Sequence, residues 1–460
     1  MNATGGAMLR QVSEQLPAMR LLEDAADTEA YRFDETEYMR PGQPIGVCFP
    51  TTTDEVQSIV RLAAQHRVPL VPRGAGTGLS GGAVAVEGGL TVVFTAMNRI
   101  LEIDPANLTA TVQPGVINAD LGRAVAGHGL FYAPDPASFE MCTIGGNLAE
   151  NSGGLRCVKY GVTRDFVLGL EVVLADGSVI RTGGKNVKDV AGYDLGGLFV
   201  GSEGTLGIIT EATLRLLPAP AERLTMLAFF GTVRAAGDAV AGITAAGIVP
   251  TTLELMDAFT IAAVDEWHQL GLDRTAAAML MIESDAPAAI AELELAAAEQ
   301  ACLSAGATSI VRAADPREAD WLRQARRSAH GALERAGVAR MDDVGVPRSR
   351  IPEMLEHIES VSTSHGLRIG VFGHAGDGNL HPTYIVERDD PTAEGRIDAA
   401  RSEIYARALD LGGTVTGEHG TGLAKRRWLE LQRGAGAVRV MRAIKQALDP
   451  DGILNPGKVL

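Results

Sequence analysis

Two histidines close a short turn late in the chain. Residues 373–382 read GHAGDGNLHP, with His374 and His381 each at the end of an apolar run. Further on, GEHGTG sets Glu418 beside His419, again between glycines. Of the nine histidines in the chain, three fall in these two turns. Two imidazoles and a carboxylate make a donor set for a divalent metal that keeps a position open for substrate. The remaining histidine, His419, is free to act as a base. Asp377 and Asn379 could orient the ligands from behind. A single histidine beside a turn is usually a surface or satisfied residue, and it is the three histidines in two glycine-flanked turns that raise the reading of a metal or catalytic site. Spacing does not choose between zinc, manganese and iron.

Several elements must position these groups. GLRIGVFGHAGDGNLHPTYIVE reads as strand, turn, strand, so the histidines sit at strand ends. PTAEGRIDAARSEIYARALDLGG reads as a helix stopped by glycine, and the tail AVRVMRAIKQAL as a helix stopped at Asp449-Pro450. Upstream, LTMLAFF, VPTTLELMD, TAAAMLMIESD and ATSIVRA read as strands. Helical stretches VRAAGDAVAGITAAG and APAAIAELELAAAEQACLSAG lie among them. Two β-α-β units in series predict a ferredoxin-like antiparallel sheet with helices on one face. Further helices are expected over 317–336 and 351–365. The proline-rich LLPAPAE, Leu216 to Glu222, marks a domain boundary.

The first half has a different texture. DEVQSIVRLAAQHR, 54–67, predicts a helix with an acidic N-cap, followed by the strand VPLVP. Then RGAGTGLSGGAVAVEGG runs straight into the strand LTVVF. The dinucleotide fingerprint needs a helix directly after its glycines, so GAGTGL is not read as one. No lysine stands where a Walker A loop needs it. TIGGNLAENSGG follows YAPDPAS, and GYDLGGLFVGSEGTLGIITEATLRLLP ends in alternating β-formers. The chain has 54 glycines, against an average usage of about 7%. Loops of this kind present backbone N–H groups to phosphate or pyrophosphate.

At 460 residues the chain is too long for one core, and two or three domains are expected. A formal net charge of −16 argues against nucleic acid as a partner. The first residues hold no apolar signal-peptide core, and no run of about 18 apolar residues predicts an integral membrane segment. Cys48, Cys142, Cys157 and Cys302 are widely spaced. They fit buried thiols in a reduced cytoplasm, and with no CxxC the chain offers no iron–sulfur ligation of the usual spacing.

Six motifs in one order point further: VPRGAGTGLSGG, GGNLAENSGG, GYDLGGLFVGSEGTLGIITEA, GHAGDGNLHP, GEHGTG and DPDGILNPGKVL. Together they resemble the FAD-linked 2-hydroxy-acid dehydrogenases of the vanillyl-alcohol oxidase/p-cresol methylhydroxylase superfamily. That group includes D-lactate dehydrogenase, D-2-hydroxyglutarate dehydrogenase and the flavin subunit of glycolate oxidase. The resemblance spans nearly the whole chain. It implies an α+β fold with a two-subdomain FAD-binding domain over 1–220 and a ferredoxin-like antiparallel-sheet cap over 221–413. A C-terminal segment, 414–460, would return to the flavin.

By the same resemblance, FAD is held non-covalently. Its pyrophosphate lies on the first loop, Arg73, Gly74, Ala75, Gly76, Thr77, Gly78, Leu79 and Ser80. No histidine stands in that loop to form the covalent link of some relatives. Pro134, Asp135, Ser138, Gly145, Gly146, Asn147, Ser152 and Gly153 match a second contact region. Glu203, Gly204 and Ile209 match a third, and Asn455 lies in the tail motif. His374, His381 and Glu418 match metal ligands, zinc foremost with manganese or iron as alternatives. His419 matches the base. Arg326 matches an arginine that pairs with the substrate carboxylate, with Arg327 one residue away. Lys188 sits where relatives carry polar residues near the flavin.

The implied reaction converts a small D-2-hydroxy acid, lactate or glycolate among them, to the 2-oxo acid. The hydroxyl loses its proton beside the metal and hydride passes to flavin N5. Reoxidation needs an acceptor: a quinone, an electron-transfer flavoprotein or an iron–sulfur protein. The alternative within this class is the flavin subunit of a multi-chain glycolate-oxidase complex. A non-redox flavoprotein of the alkyl-dihydroxyacetone-phosphate synthase kind and a metallohydrolase are the competing classes. A cytoplasmic protein, peripheral to a membrane or free, and a homodimer both fit the sequence.

Overall fold

The computed structural model describes residues 3–36, 38–220 and 223–460. The chain divides into two compact units. The first contains Met1–Gly153, Val162–Ala219 and Glu418–Leu460, and the second contains Gly154–Gly161 and Pro220–Gly417. The eight residues 154–161 therefore leave the expected first domain for the second unit.

The first unit carries two main sheets. One takes β1 (Arg20–Leu22), β2 (Gly46–Phe49), β3 (Leu70–Arg73) and β4 (Leu90–Val93) in the order β1-β2-β4-β3. β4 runs parallel to both β2 and β3. The other sheet is antiparallel, with order β5-β6-β10-β8-β9. Its strands are β5 (Ile100–Asp104), β6 (Thr109–Val112), β8 (Val167–Val173), β9 (Val179–Gly183) and β10 (Ile208–Arg215). β10 alternates buried and half-buried residues, as its β-branched pattern predicts. β7 (Leu130–Phe131) and β11 (Leu217–Pro218) form a small pair.

The helix Thr53–His66 packs Val56, Ile59, Val60 and Ala63 into the first unit's core. Its N-cap is Thr52 rather than the acidic residue expected from sequence. The threonine hydroxyl accepts the Glu55 N–H at 3.2 Å, which leaves Asp54 inside the first turn. The same core includes Ile453 and Leu454 from the far end of the chain. There Leu70 N–H donates to Ile453 O at 2.7 Å and Asn455 N–H to Leu70 O at 2.8 Å.

The second unit is built on one eight-stranded sheet, among the described residues. Its strands are β12 (Leu224–Phe230), β13 (Thr252–Asp257), β14 (Ala278–Ser284), β15 (Ala307–Arg312), β16 (Val338–Met341), β17 (Val344–Gly345), β18 (Arg368–His374) and β19 (Asn379–Val386). The order is β15-β12-β14-β13-β18-β19-β16, with β17 also on β19. Every neighbour is antiparallel. Met256, Met279, Met281, Phe372 and Ile385 from this sheet share a core with Ala329, Ala332 and Leu333. The expected helix over 317–336 is two pieces, Pro316–Arg327 and Ala329–Glu334, meeting at Ser328. A helix not anticipated from sequence, Ala258–His268, follows β13 and is capped by Asp257. Burial raises the Asp257 carboxyl to about 6, although it accepts N–H bonds from Thr260 and Val371.

Cys48, Cys142 and Cys302 are buried thiols. Cys157, expected to be buried like the others, is half-buried in the short helix Cys157–Tyr160, which has no buried residue. No described helix is long and apolar enough to cross a membrane.

Candidate active site

The first unit holds a cleft of about 1000 Å³, counting the space open to solvent. That is at the top of the roughly 300–1000 Å³ range of small-molecule and cofactor sites. All three glycine-rich stretches line it: Arg73 to Gly78, then Ser138 with Gly145 to Asn147, Ala149, Glu150 and Ser152, then Ser202 to Gly204 with Gly207 to Ile209. Leu79, Ser80, Pro134, Asp135, Gly153 and Asn455, also expected at the flavin, are not part of this lining. Ser80, Asp135 and Asn455 are buried.

Close packing explains the glycines. A Cβ on Gly74 would stand 2.4 Å from Thr143 Oγ1, so two of the stretches touch through a missing side chain. Gly76 has φ +84°, and a Cβ there would fall 2.0 Å from the Arg73 guanidinium. Arg73 is itself bonded to Phe33 O at 2.5 Å, so it braces the loop by a main-chain carbonyl. Burial lowers its pKa, opposed by Asp34. Asn455 Nδ2 bridges Gly82 O at 2.9 Å and Glu203 O at 2.8 Å, tying the tail motif to two of the loops.

Two carboxyls stand in the cleft wall. Glu203 accepts the N–H groups of Thr421 and Gly422, each at 2.7 Å. Burial nevertheless pushes it up to about 7, with those N–H bonds and Lys458 pulling the other way. Burial, then the Glu203 charge, holds the Glu150 carboxyl well above the ordinary range, against one hydrogen bond from Ser80 Oγ at 3.1 Å. Ser80 O also accepts the N–H groups of Leu423 and Ala424. The stretch just after Glu418 and His419 is thus clamped at Thr421 to Ala424 by residues of the glycine loops. Lys458 donates to Val84 O at 2.7 Å, and burial lowers it to about 8.

In the second unit, His374 and His381 meet edge to face, with ring centroids 5.1 Å apart. Both are buried, at 5% and 3% exposure. Strand register does this: His374 pairs with Asn379 and Phe372 with His381, so all four side chains share one face. Each histidine also faces a carboxylate on the next strand outward. Continuing the β13–β18 register (Leu255↔Gly373) sets Glu254 opposite His374. Continuing the β17–β19 register (Val344↔Leu380) sets Asp343 opposite His381. Glu254 Oε1 and Oε2 lie 2.8 and 3.0 Å from His374 Nδ1. Asp343 Oδ1 lies 3.9 Å from His381 Nδ1. Asp343 also accepts Asn379 Nδ2 at 2.5 Å, Thr416 Oγ1 at 2.8 Å and Gly417 N–H at 2.8 Å. It therefore fixes the chain immediately before Glu418.

Arg326, expected on the substrate carboxylate, is buried and ion-paired with Glu254, Nη2 to Oε2 at 2.5 Å. Its guanidinium lies 4.9 Å from the Phe372 ring centroid. Sequence reasoning missed Glu254 and the anchoring role of Asp343. The available signal was a glutamate set between two leucines in the predicted strand TLELMD, a place where a carboxylate calls for a partner. Lys188 is exposed and outside the cleft lining.

Comparison with known proteins agrees with this layout. Residues 44–183 match the FAD binding domain, and residues 219–459 match the family described as FAD linked oxidases, C-terminal domain. The chain is 48% identical over 455 residues to glycolate oxidase subunit GlcD of Bacillus subtilis (strain 168), covering 98% of this chain and 97% of that one. It is 34% identical over 466 residues to D-lactate dehydrogenase of Anaerostipes hadrus, covering 98% and 97%. Among solved structures, 4-ethylphenol oxidase from Gulosibacter chungangensis aligns with TM-score 0.82 at 22% identity, covering 100% of this chain and 98% of that one. p-Cresol methylhydroxylase aligns with TM-score 0.81 at 18% identity, covering 100% and 97%. These two likenesses show the fold. The chain belongs to the FAD-linked oxidase family. It is an FAD-dependent oxidoreductase of the α+β, p-cresol-methylhydroxylase-like fold.

Proposed function

We propose that this chain oxidises a small D-2-hydroxy acid, glycolate or lactate foremost, to the 2-oxo acid, and that it works as the flavin subunit of a larger electron-transfer assembly. The observation that carries the chemistry is the pair of buried histidines backed by carboxylates, in a chain that also holds a cleft lined by all three glycine motifs. Relatives named glycolate oxidase subunit and D-lactate dehydrogenase support the substrate class, and the word subunit supports the assembly.

The residues fit both groups that the reading needs. Bound FAD would supply the two-electron acceptor, with backbone of Arg73 to Gly78 against its pyrophosphate. His374 and His381 would hold a divalent metal through nitrogen, with Glu418 as the third ligand, one peptide bond beyond the anchored Gly417. Such a metal would lower the pKa of the substrate hydroxyl. His419 takes that proton as general base. An arginine at the end of the helix Pro316–Arg327, where Arg326 and Arg327 stand side by side, orients the carboxylate. Asp343 holds Gly417 on one side of Glu418 and His419 in the chain, and Glu203 with Ser80 holds Thr421 to Ala424 on the other.

The test is an anaerobic flavin spectrum of the purified protein, titrated with D- and L-2-hydroxy acids. Bleaching of the oxidised band by one D-acid is expected. A yellow protein bleached by none of them would sink the dehydrogenase reading.

A further inference from the structure

We propose that Glu254 and Arg326 form a positioning pair that fixes the ring of His374 so that its Nε2 points outward as a donor. This rests on the reading of His374 as a metal ligand.

The argument starts from the cost of the site. Glu254 lies on β13 among fully buried apolar neighbours, and its side chain is 1% exposed. A carboxylate there is unfavourable unless charge and hydrogen bonds compensate it. Two groups do so. The Arg326 guanidinium lies 2.5 Å from Oε2, and the His374 imidazole lies 2.8 Å from Oε1. An ionised carboxylate only accepts, so the hydrogen bond places a proton on Nδ1. The lone pair of the neutral ring is then on Nε2. Both carboxylate oxygens lie within reach of Nδ1, so the ring stays held when the carboxylate rocks.

Arg326 adds a second constraint. Its guanidinium is stacked over Phe372, and the Phe372 ring lies 5.3 Å from the His381 ring. One buried cation therefore orients Glu254 through charge and borders the ring that packs against the other histidine. Glu254 and Arg326 are 72 residues apart in sequence (326 − 254), and they meet because the helix Pro316–Arg327 packs into the core under β13 and β18.

The experiment compares FAD-loaded wild type, Glu254→Gln, Arg326→Lys and the charge-neutral double variant Glu254→Gln/Arg326→Met. Each is titrated with Mn²⁺ and with Zn²⁺ against a competing chelator. Loss of a group that orients a metal-binding histidine costs about 10- to 100-fold in metal affinity. That loss is expected in Glu254→Gln and in the double variant, with FAD content unchanged. Arg326→Lys, which keeps the charge, should retain more affinity than the double variant. Nitrogen-15 spectra of the metal-free histidines supply a readout that general loosening would not mimic. His374 should be an Nδ1–H tautomer in wild type and a tautomer mixture in the double variant. Wild-type affinity and an unchanged tautomer in the double variant would overturn the proposal. A wild type that takes up neither metal overturns the metal reading itself, and the tautomer comparison still decides whether Glu254 orients His374.

Discussion

Both units bury a pair of carboxyl groups near their glycine-bracketed turns, and they manage the charge in opposite ways. In the second unit Glu254 meets a guanidinium and an imidazole, and Asp343 meets an amide, a hydroxyl and a backbone N–H. In the first unit burial raises both Glu150 and Glu203, and the Glu203 charge raises Glu150 further, answered by backbone N–H groups, a serine and a lysine that burial has itself lowered. Matched ions make the first arrangement rigid and charge-defined. The second leaves its carboxyls raised, Glu203 to about 7, so its charge depends on pH near neutrality. Asp343 and Glu203 nevertheless share one task, since each grips backbone beside Glu418 and His419, Gly417 on one side and Thr421 with Gly422 on the other.

The largest expected effect tests what these grips serve. His419→Ala should slow flavin reduction by a D-2-hydroxy acid at least about 100-fold, the usual weight of a general base, with FAD content retained. Stopped-flow absorbance reads this, and near-normal reduction would remove the base from His419. Next, Glu254→Leu leaves Arg326 buried without its partner. It should cost about 3–5 kcal/mol in urea unfolding, whereas the double variant with Arg326→Met should lose much less. Equal losses would mean the ion pair is not what stabilises the site. In the first unit, Glu203→Ala strips the acceptor from the buried Gly422 N–H and the half-buried Thr421 N–H and should cost about 1–3 kcal/mol. Glu150→Gln should cost less than Glu203→Ala, because burial and the Glu203 charge already disfavour the ionised Glu150 carboxyl.

The pH dependence sharpens the same contrast. The folded Glu203 pKa of about 7 lies above its unfolded value of about 4.3. Its contribution is full below the unfolded value and lost as pH rises through about 7. Lys458, lowered to about 8, works the other way, and its contribution grows as pH rises from there towards the unfolded value. Unfolding midpoints between pH 4 and 7.5 should show a fall that Glu203→Gln flattens. The smallest effect is local. Thr52→Ala should cost about 1 kcal/mol through the lost cap of the helix Thr53–His66, with flavin binding intact.

What could be read from the sequence follows from what is local. The glycine loops, the strand–turn–strand at GHAGDGNLHP and most second-half strands announce themselves by periodicity and turn chemistry. Glu254 does not, because its meaning depends on β13 pairing with β18 far along the chain, and register is a tertiary property. Arg326 looked like one of two basic residues on a helix face, and only packing against Phe372 and Glu254 gives it its place. The short helix Ala258–His268 and the transfer of residues 154–161 to the second unit were equally out of reach. Leu155 joins the second unit's core there, and Lys159 and Tyr160 bond Asp285 at 2.5 and 2.7 Å.

The tail that runs Leu454 alongside Leu70 also sets an order of events during synthesis. The second unit has all its residues once Gly417 has emerged. The first unit, although begun earlier, needs Ile453, Leu454 and Asn455 to finish its core and join its loops. The unit begun first is therefore the one whose core and loops draw on residues 453–455, so it cannot be completed before they are made.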